Sequence, residues 1–276
     1  MRRQTREVPV LDNLVVEHPG NEQEAAARTV IVEAGLALSA RRSDIPKTFV
    51  AQLYARVVPD DIVHYGAEDF AVLAERAYDY MKQRQPGASK IRCETVPLNA
   101  SGERKAVTII EVSNDDMPFL VDSVIGEIAD RRLDLWLVSH PVFGVRREGG
   151  ELVALGAPDA TDSLRESFIQ LHIEPVEDPS VCADLVAALE AVLIEVRLAV
   201  QDWRPMLDHV NAIVADLKTN PPPLPVDEIA EAIQFLQWLL ADNFTFLGVR
   251  DYISDGQSIK PEFESGLGIM RSRDLR

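Results

Sequence analysis

Residues 114–124 read NDDMPFLVDSV and join a strand-like run to a helix-like run through a turn rich in carboxylates. The preceding run, 107–113, is β-branched and apolar, which predicts a strand. After the turn, apolar residues recur at helical spacing, which predicts a helix over 117–131. Pro118 suits the first turn of such a helix, and Asp115 or Asp116 is placed to cap its free amides. The stretch therefore predicts a strand–turn–helix junction without catalytic machinery of its own.

The sequence around this junction predicts further strands and a second helix. Residues 133–147 form a long apolar run in which Pro141 or Gly144 predicts a bend. Pro179 and Ser180 precede a helix with an apolar stripe. The remaining predicted strands are 90–98, 152–155 and 166–176, and turns or loops are predicted at 99–102, 148–151 and 158–162.

The strand at 166–176 alternates between apolar and polar residues. Ile169, Leu171 and Ile173 share one face, whereas Phe168, Gln170, His172 and Glu174 share the other. Such alternation predicts a sheet that helices cover on one side only, with the other side free for contacts. The class is therefore α+β, with a βαββα sandwich.

The chain divides into three predicted parts. Residues 1–87 are mainly helical, with interruptions at Pro59 and Gly87, and residues 88–218 form the α+β domain. Within it, more helix is predicted at 202–217 where a closing strand is expected, and 90–98 could supply that strand. Residues 219–276 comprise a proline-rich linker, a helix capped by Asp227, and strands at 244–253 and 266–270, which predict the start of a second α/β module.

Composition argues against several classes of partner. The chain has 28 Lys and Arg against 45 Asp and Glu, a formal net charge of −17, which disfavours nucleic acid and anionic membranes. No run of residues can span a bilayer. The basic beginning, 1–6, lacks an apolar segment and is interpreted as a solvated tail. Cys93 and Cys182 lie far apart, which favours two buried free thiols and a reducing cytoplasm.

No motif for catalysis, cofactor binding or metal binding is found. The five histidines stand apart; His140 is interpreted as structural in a bend and His172 as a surface or interface residue. The sequence has no glycine-rich dinucleotide or phosphate loop and no nucleophile elbow. For the carboxylates of the 114–124 turn, helix capping is the preferred interpretation. The alternative is that this helix terminus binds the carboxylate of an amino acid. The large aromatic residues are interpreted as core or interface anchors, namely Trp136, Phe143, Trp203, Trp238 and Phe244.

Three stretches carry a resemblance to a known family. Residues 114–124, 139–147 (SHPVFGVRR) and 242–252 (DNFTFLGVRDY) together resemble the large bacterial NAD-specific glutamate dehydrogenases. The resemblance covers about 44–271 and implies the amino-terminal, non-catalytic region, which in that family carries ferredoxin-like ACT modules. It also implies a longer parent that uses NAD to deaminate L-glutamate oxidatively. Effector-binding ACT loops commonly place glycine directly after proline, whereas this chain has Pro118 and Phe119.

These observations lead to a regulatory or scaffolding role within a cytoplasmic homo-oligomer, with no cofactor bound by this chain itself. The alternatives are an amino-acid-binding ACT-type sensor and a chain that is itself an enzyme. The residues expected to contact an effector or another module are Asn114, Asp115, Asp116, Met117, Pro118, Phe119, Phe168, Gln170 and His172.

Overall fold

The computed structural model describes residues 19–98, 105–159 and 161–272. The predicted tail at 1–6 and the predicted turn at 99–102 lie outside these residues. Four helices come first, in the part of the chain for which the sequence predicts mainly helix. They are α1 (Pro19–Arg41), α2 (Phe49–Leu53), α3 (Pro59–Ile62) and α4 (Ala67–Met81). Pro59 begins α3, where proline is tolerated, and the Asp69 carboxylate accepts a hydrogen bond from the Gly66 amide at the start of α4.

A six-stranded antiparallel sheet follows, with one helix inserted between its strands and a second helix after the last of them. The order along the chain is β1 (Lys90–Pro97), β2 (Ala106–Asp115), α5 (Leu120–Asp130), β3 (Leu135–Ser139), β4 (Val142–Glu148), β5 (Glu151–Gly156), β6 (Leu164–Ile173) and α6 (Pro179–Thr219). In space the strands run β1-β2-β6-β4-β5, and β3 also pairs with β6. The strand predicted at 90–98 therefore lies at the edge beside β2.

The predicted bend in the long strand is confirmed at Pro141. The run separates there into β3 and β4, which pair with successive parts of β6. Proline has no amide hydrogen to give to a neighbouring strand, so the ladder is interrupted at this position. The Pro141 carbonyl still accepts a hydrogen bond from the Phe168 amide at 3.0 Å, which keeps both halves on β6.

Helices cover both faces of the sheet, so the prediction of a sheet covered on one side is wrong. On one face, Val107, Phe143 and Phe168 join a core with α1–α4. On the other face, Ile110, Ile169 and further apolar residues pack against α5 and α6. The reason is that the amino-terminal helices fold back onto the face of β6 that sequence alternation marks as polar.

Helix α6 is one continuous helix of 41 residues that passes through Pro205, so the helix predicted at 202–217 is its continuation. The Asp178 side chain caps its start by accepting a hydrogen bond from the Ser180 amide at 2.8 Å. Among the described residues, no helix is apolar enough over the length needed to cross a membrane.

The cysteines are joined, so the prediction of two buried free thiols is wrong. Cys93 on β1 and Cys182 on α6 form a disulfide, with Cα atoms 5.4 Å apart. Both residues are half-buried rather than buried. The packing of α6 across β1 brings these distant positions together, which their sequence spacing does not indicate.

The carboxyl-terminal part has a helix and very short strands. Helix α7 (Val226–Trp238) begins after Pro225, so Asp227 lies inside its first turn and is not its cap. A π-helical turn (Leu239–Asn243) follows. The predicted strand at 244–253 is reduced to β7 (Gly248–Val249) and β8 (Tyr252–Ser254), which pair with β10 (Leu267–Gly268) and β9 (Ile259–Pro261), respectively. The predicted strand at 266–270 is correspondingly short, because a 3-10 turn begins at Ile269.

Candidate functional site

The turn between β2 and α5 is the candidate site, because it contains six of the nine residues that the sequence selects. Its backbone enters α5 through Phe119, which has a left-handed φ of 69° and makes no side-chain cap. Pro118 therefore precedes the helix rather than lying in its first turn. A left-handed conformation strains residues with a β-carbon, so Phe119 enters the helix at a conformational cost.

Asp115 and Asp116 do not cap α5, and the capping prediction is wrong for both. The Asp115 carboxylate accepts hydrogen bonds from Arg84 at 2.8 Å and Arg197 at 3.3 Å. The Asp116 carboxylate accepts one from Arg165 at 2.9 Å. Burial opposes ionisation of Asp115, but the hydrogen bond from Arg84 and its positive charge outweigh burial and lower the pKa of this carboxyl. Arginine side chains thus provide stronger partners than the helix amides.

Asn114 is buried at the base of the turn. Its Oδ1 accepts a hydrogen bond from Arg197 Nη2 at 2.6 Å and one from Ser89 Oγ at 3.2 Å. Its Nδ2 has no hydrogen-bond partner among the described residues. Arg197 thereby clamps the end of β2 onto α6.

A buried ion cluster supports the turn from the α4 side. Glu166 on β6, fully buried, contacts Arg84 at 2.6 Å and Arg147 at 2.6 Å. Burial alone would raise the pKa of Glu166, but hydrogen bonds from the two arginines outweigh it and lower the pKa. Since Arg147 also donates to the Met81 carbonyl at 2.9 Å, the cluster joins the end of α4 to the sheet. The turn therefore lies on a rigid support.

An apolar pocket lies against the exposed side of the turn. Its volume is about 380 Å³, and Pro118 and Phe119 form part of its wall. Trp203 on α6 and Phe244 after the π-helical turn line the opposite parts, and both are about half exposed. Met117 is half-buried and packs into the core beneath α5 instead. The pocket offers apolar contact area and few polar groups, which suits packing or an apolar ligand.

The other three predicted residues lie on the opposite face of the sheet and are not part of this turn. Phe168, Gln170 and His172 are all buried, so the prediction of His172 as a surface or interface residue is wrong. His172 Nδ1 lies 3.0 Å from the Tyr65 hydroxyl, and Gln170 Oε1 accepts a hydrogen bond from the Tyr54 hydroxyl at 3.1 Å. Two tyrosines in the connections between the amino-terminal helices are thus the hydrogen-bond partners of side chains that the alternation marks as exposed.

Gln170 also donates to Glu111 at 3.0 Å, and Arg92 donates to the same carboxylate at 2.8 Å. Burial raises the pKa of Glu111 despite the nearby Arg92. This chain of polar contacts joins the amino-terminal helical segment to the sheet. His140, half-buried in the bend, contacts the Ser167 hydroxyl at 2.8 Å. That contact agrees with a structural role.

Sequence reasoning missed the arginines that complete the site. Arg84 and Arg197 lie 31 and 82 residues from Asp115, and no local pattern connects them. The sequence predicted Trp203 and Phe244 as core or interface anchors but did not indicate that they line the same pocket. Among the described residues, no three His, Cys, Asp or Glu side chains form a group able to hold a metal ion.

Comparison with known proteins gives a consistent set of similarities. The family model described as glutamate dehydrogenase, ACT1 domain, matches residues 49–189. A protein of Halomonas elongata named NAD-specific glutamate dehydrogenase is 34% identical over 209 residues, which cover 74% of this chain and 13% of that protein. A protein of the same name from Pseudomonas aeruginosa is 27% identical over 230 residues, covering 81% of this chain and 14% of that protein. The chain thus spans a small part of these relatives.

Proposed function

Because this chain belongs to the glutamate dehydrogenase ACT1 family and corresponds to the amino-terminal region of NAD-specific glutamate dehydrogenases, we propose that it has a non-catalytic, regulatory or scaffolding role. The proposed parent enzyme deaminates L-glutamate oxidatively to 2-oxoglutarate and ammonium and reduces NAD. In this proposal the cofactor binds elsewhere in the parent, and the region acts within a cytoplasmic homo-oligomer.

The strand order supports a ferredoxin-like, ACT-type arrangement for residues 88–218. In that arrangement the first and third strands of a βαββαβ unit are central, and the fourth lies beside the first. Here β2 and β6 are the central strands, and the β3–β4 strand flanks β6. Strand β1 occupies the edge beside β2 and so replaces the closing strand from the amino-terminal end.

One observation carries the scaffolding proposal, namely that the chain's own side chains occupy the turn where an amino-acid effector would bind. Arg197 donates to Asn114 and Arg84 donates to Asp115 at the end of β2, where the turn begins. Phe119 supplies a large side chain where effector-binding loops commonly have glycine. A turn that is satisfied internally offers few groups to an amino acid, which favours an architectural role.

The apolar pocket provides the surface for contact with other modules. Trp203 and Phe244, which line the pocket, are each about half exposed, as is Trp238 at the end of α7, a helix with no buried residue. Exposed aromatic residues grouped around a concavity are typical of protein contacts. We therefore propose that other modules or subunits of the parent enzyme pack here.

The test replaces one aromatic residue in the complete enzyme that carries this region. Trp203→Glu places a charge in the apolar pocket, whereas Ile194→Glu places it at a somewhat more exposed position of α6 that does not line the pocket. We expect Trp203→Glu to weaken assembly, measured by sedimentation, and to lower glutamate-dependent NAD reduction. The matched Ile194→Glu variant should leave both unchanged.

Unfolding of the isolated chain supplies the second measurement. Since Trp203 is half exposed, its substitution should change the unfolding midpoint of this chain little. Equal assembly of the complete enzymes that carry Trp203→Glu and Ile194→Glu would contradict a scaffolding role for this surface. So would a loss of assembly by Trp203→Glu that is matched by unfolding of the isolated chain with the same substitution. Glutamate-dependent NAD reduction by the isolated chain would instead support the reading of this chain as an enzyme.

One observation favours a second candidate function, an amino-acid sensor. The pocket beside Pro118 offers apolar contact area close to the turn. A sensor of this kind would be stabilised by its amino acid, because a ligand that binds only the folded state shifts the unfolding equilibrium. The scaffolding proposal expects no such stabilisation.

A further inference from the structure

We propose that Cys93 and Cys182 form a reversible disulfide and constitute a redox modification site that reacts with small disulfides and thiols. Cys93 lies in the edge strand β1, and Cys182 lies in the first turns of α6, 89 residues later. Their Cα separation of 5.4 Å falls within the range that disulfides require. The two elements therefore hold the sulfurs in position for the bond without rearrangement of the backbone.

The site is accessible from outside. Both cysteines are half-buried and line an open cleft of about 780 Å³ between β1 and the start of α6. Thr95, Pro179 and Ala187 form other parts of the wall. Disulfide exchange requires that an attacking sulfur reach one of the bonded sulfurs, and a cleft of this size admits a small thiol. A structural disulfide sealed in the core would not be open in this way.

The charge of the cleft indicates which small molecules react best. Glu94, Glu177 and Glu190 all line it and are exposed. Arg76 and Arg92 offset only the first of them among the described residues. A surplus of carboxylates repels anions, so cationic or neutral disulfides should react faster than anionic ones such as glutathione disulfide.

The exchange balances in two steps. The thiolate of one cysteine attacks a small disulfide R–S–S–R, forms a mixed disulfide and releases one R–S⁻. The thiolate of the second cysteine then attacks the protein sulfur of the mixed disulfide and releases the second R–S⁻. The protons of the two cysteine thiols end on the two released thiols. The protein is oxidised by two electrons, and the small disulfide is reduced by two.

Reduction of the disulfide removes the covalent link between β1 and α6 but leaves the hydrogen bonds of β1 in place. Strand β1 pairs with β2 on one side and forms the edge of the sheet on the other. The Thr95 hydroxyl still donates to the Val176 carbonyl at 2.8 Å, and the Val176 amide donates to the Thr108 hydroxyl at 2.8 Å. The reduced protein should therefore stay folded, with a lower unfolding midpoint and a less protected edge strand.

The experiment follows the thiols of the full chain under native conditions. The reduced chain is incubated with cystamine, which is cationic, or with glutathione disulfide, and free thiols are then alkylated and located by peptide mass spectrometry. We expect both cysteines to become protected from alkylation together. At low salt, protection should be severalfold faster with cystamine than with glutathione disulfide. The ratio of the two rates should fall as added salt screens the carboxylates. A native thiol reductant should reverse the protection.

Two outcomes would overturn the proposal. One is that both thiols remain open to alkylation after oxidant treatment, or that the bond yields to reductant only when the chain is denatured. The other is equal rates with cystamine and glutathione disulfide at low salt, which would remove the acidic cleft as the selective feature. As control, the Cys93→Ser/Cys182→Ser variant should show an unfolding midpoint that does not respond to oxidant or reductant, whereas the wild-type midpoint should rise on oxidation.

Discussion

Arg197 Nη2 donates a hydrogen bond to Asn114 Oδ1 at 2.6 Å and so joins residues 83 positions apart in the sequence. The contact fixes the end of strand β2 to the middle of helix α6. Through its second amino group, Arg197 also contacts Asp115. One side chain therefore holds two consecutive residues of the β2–α5 turn, and this arrangement distinguishes the turn from an open binding loop.

Removal of that clamp should destabilise the chain. Arg197→Ala leaves the buried Asn114 with fewer partners, and the free energy of unfolding should fall by about 1–2 kcal/mol. Urea unfolding measures the change. Arg204→Ala, an exposed arginine on the same helix, serves as the control and should change stability by less than about 0.5 kcal/mol. Equal effects of both substitutions would show that the clamp contributes nothing specific.

Substitution of the buried Glu166 should lower the free energy of unfolding far more than removal of the Arg197 side chain does. Glu166→Gln removes the negative charge that two buried arginine side chains share, and unfolding should become easier by about 3–5 kcal/mol. Glu148→Gln changes an exposed carboxylate at the end of β4 and should have little effect. A loss below about 1 kcal/mol for Glu166→Gln would mean that water or rearrangement compensates the two arginines.

The same carboxylate gives a pH dependence with a defined sign. The folded state lowers the pKa of Glu166, so its contribution to stability is complete above the unfolded pKa of about 4.3 and is lost as pH falls through the folded value. The difference in unfolding free energy between wild type and Glu166→Gln should therefore shrink as the pH is lowered from about 6 to about 3. A difference that stays constant over this range would refute the assignment.

Substitutions at Phe119 should separate backbone strain from side-chain packing. Phe119→Gly and Phe119→Ala both remove the aromatic ring from the pocket wall, but only glycine accepts the φ of 69° without strain. The glycine variant should be more stable than the alanine variant by about 1 kcal/mol in urea unfolding. The opposite order would indicate that the turn relaxes away from the left-handed conformation.

Local patterns predicted much of the fold. Apolar alternation and helical spacing indicated the strands and helices of the central domain, and Pro141 indicated the bend between β3 and β4. These features depend on residues that are close in sequence. The sequence suggested only that residues 90–98 could supply the closing strand, and β1 lies at the edge beside β2.

Contacts between distant residues account for what the sequence did not reveal. Gln170 and His172 resembled solvent-facing residues because their partners, Tyr54 and Tyr65, lie over one hundred positions away. Phe168 shares this face of the strand with Gln170 and His172, and its apolar side chain was the one sign in the sequence that the face is buried. Asp115 resembled a helix cap because its partners Arg84 and Arg197 lie 31 and 82 positions away, outside any local pattern. The predicted division into domains and the proposed contacts of residues 114–119 stay predictions.

The most direct test of the central claim is thermal unfolding of this chain with each of the twenty amino acids. The account holds that Arg84, Arg197 and Phe119 close the β2–α5 turn, so no amino acid should raise the unfolding midpoint. A ligand present at a hundred times its dissociation constant would add about 2.7 kcal/mol to the free energy of unfolding. A stabilisation of that size by any one amino acid, abolished by Arg197→Ala, would contradict the account and establish a sensor.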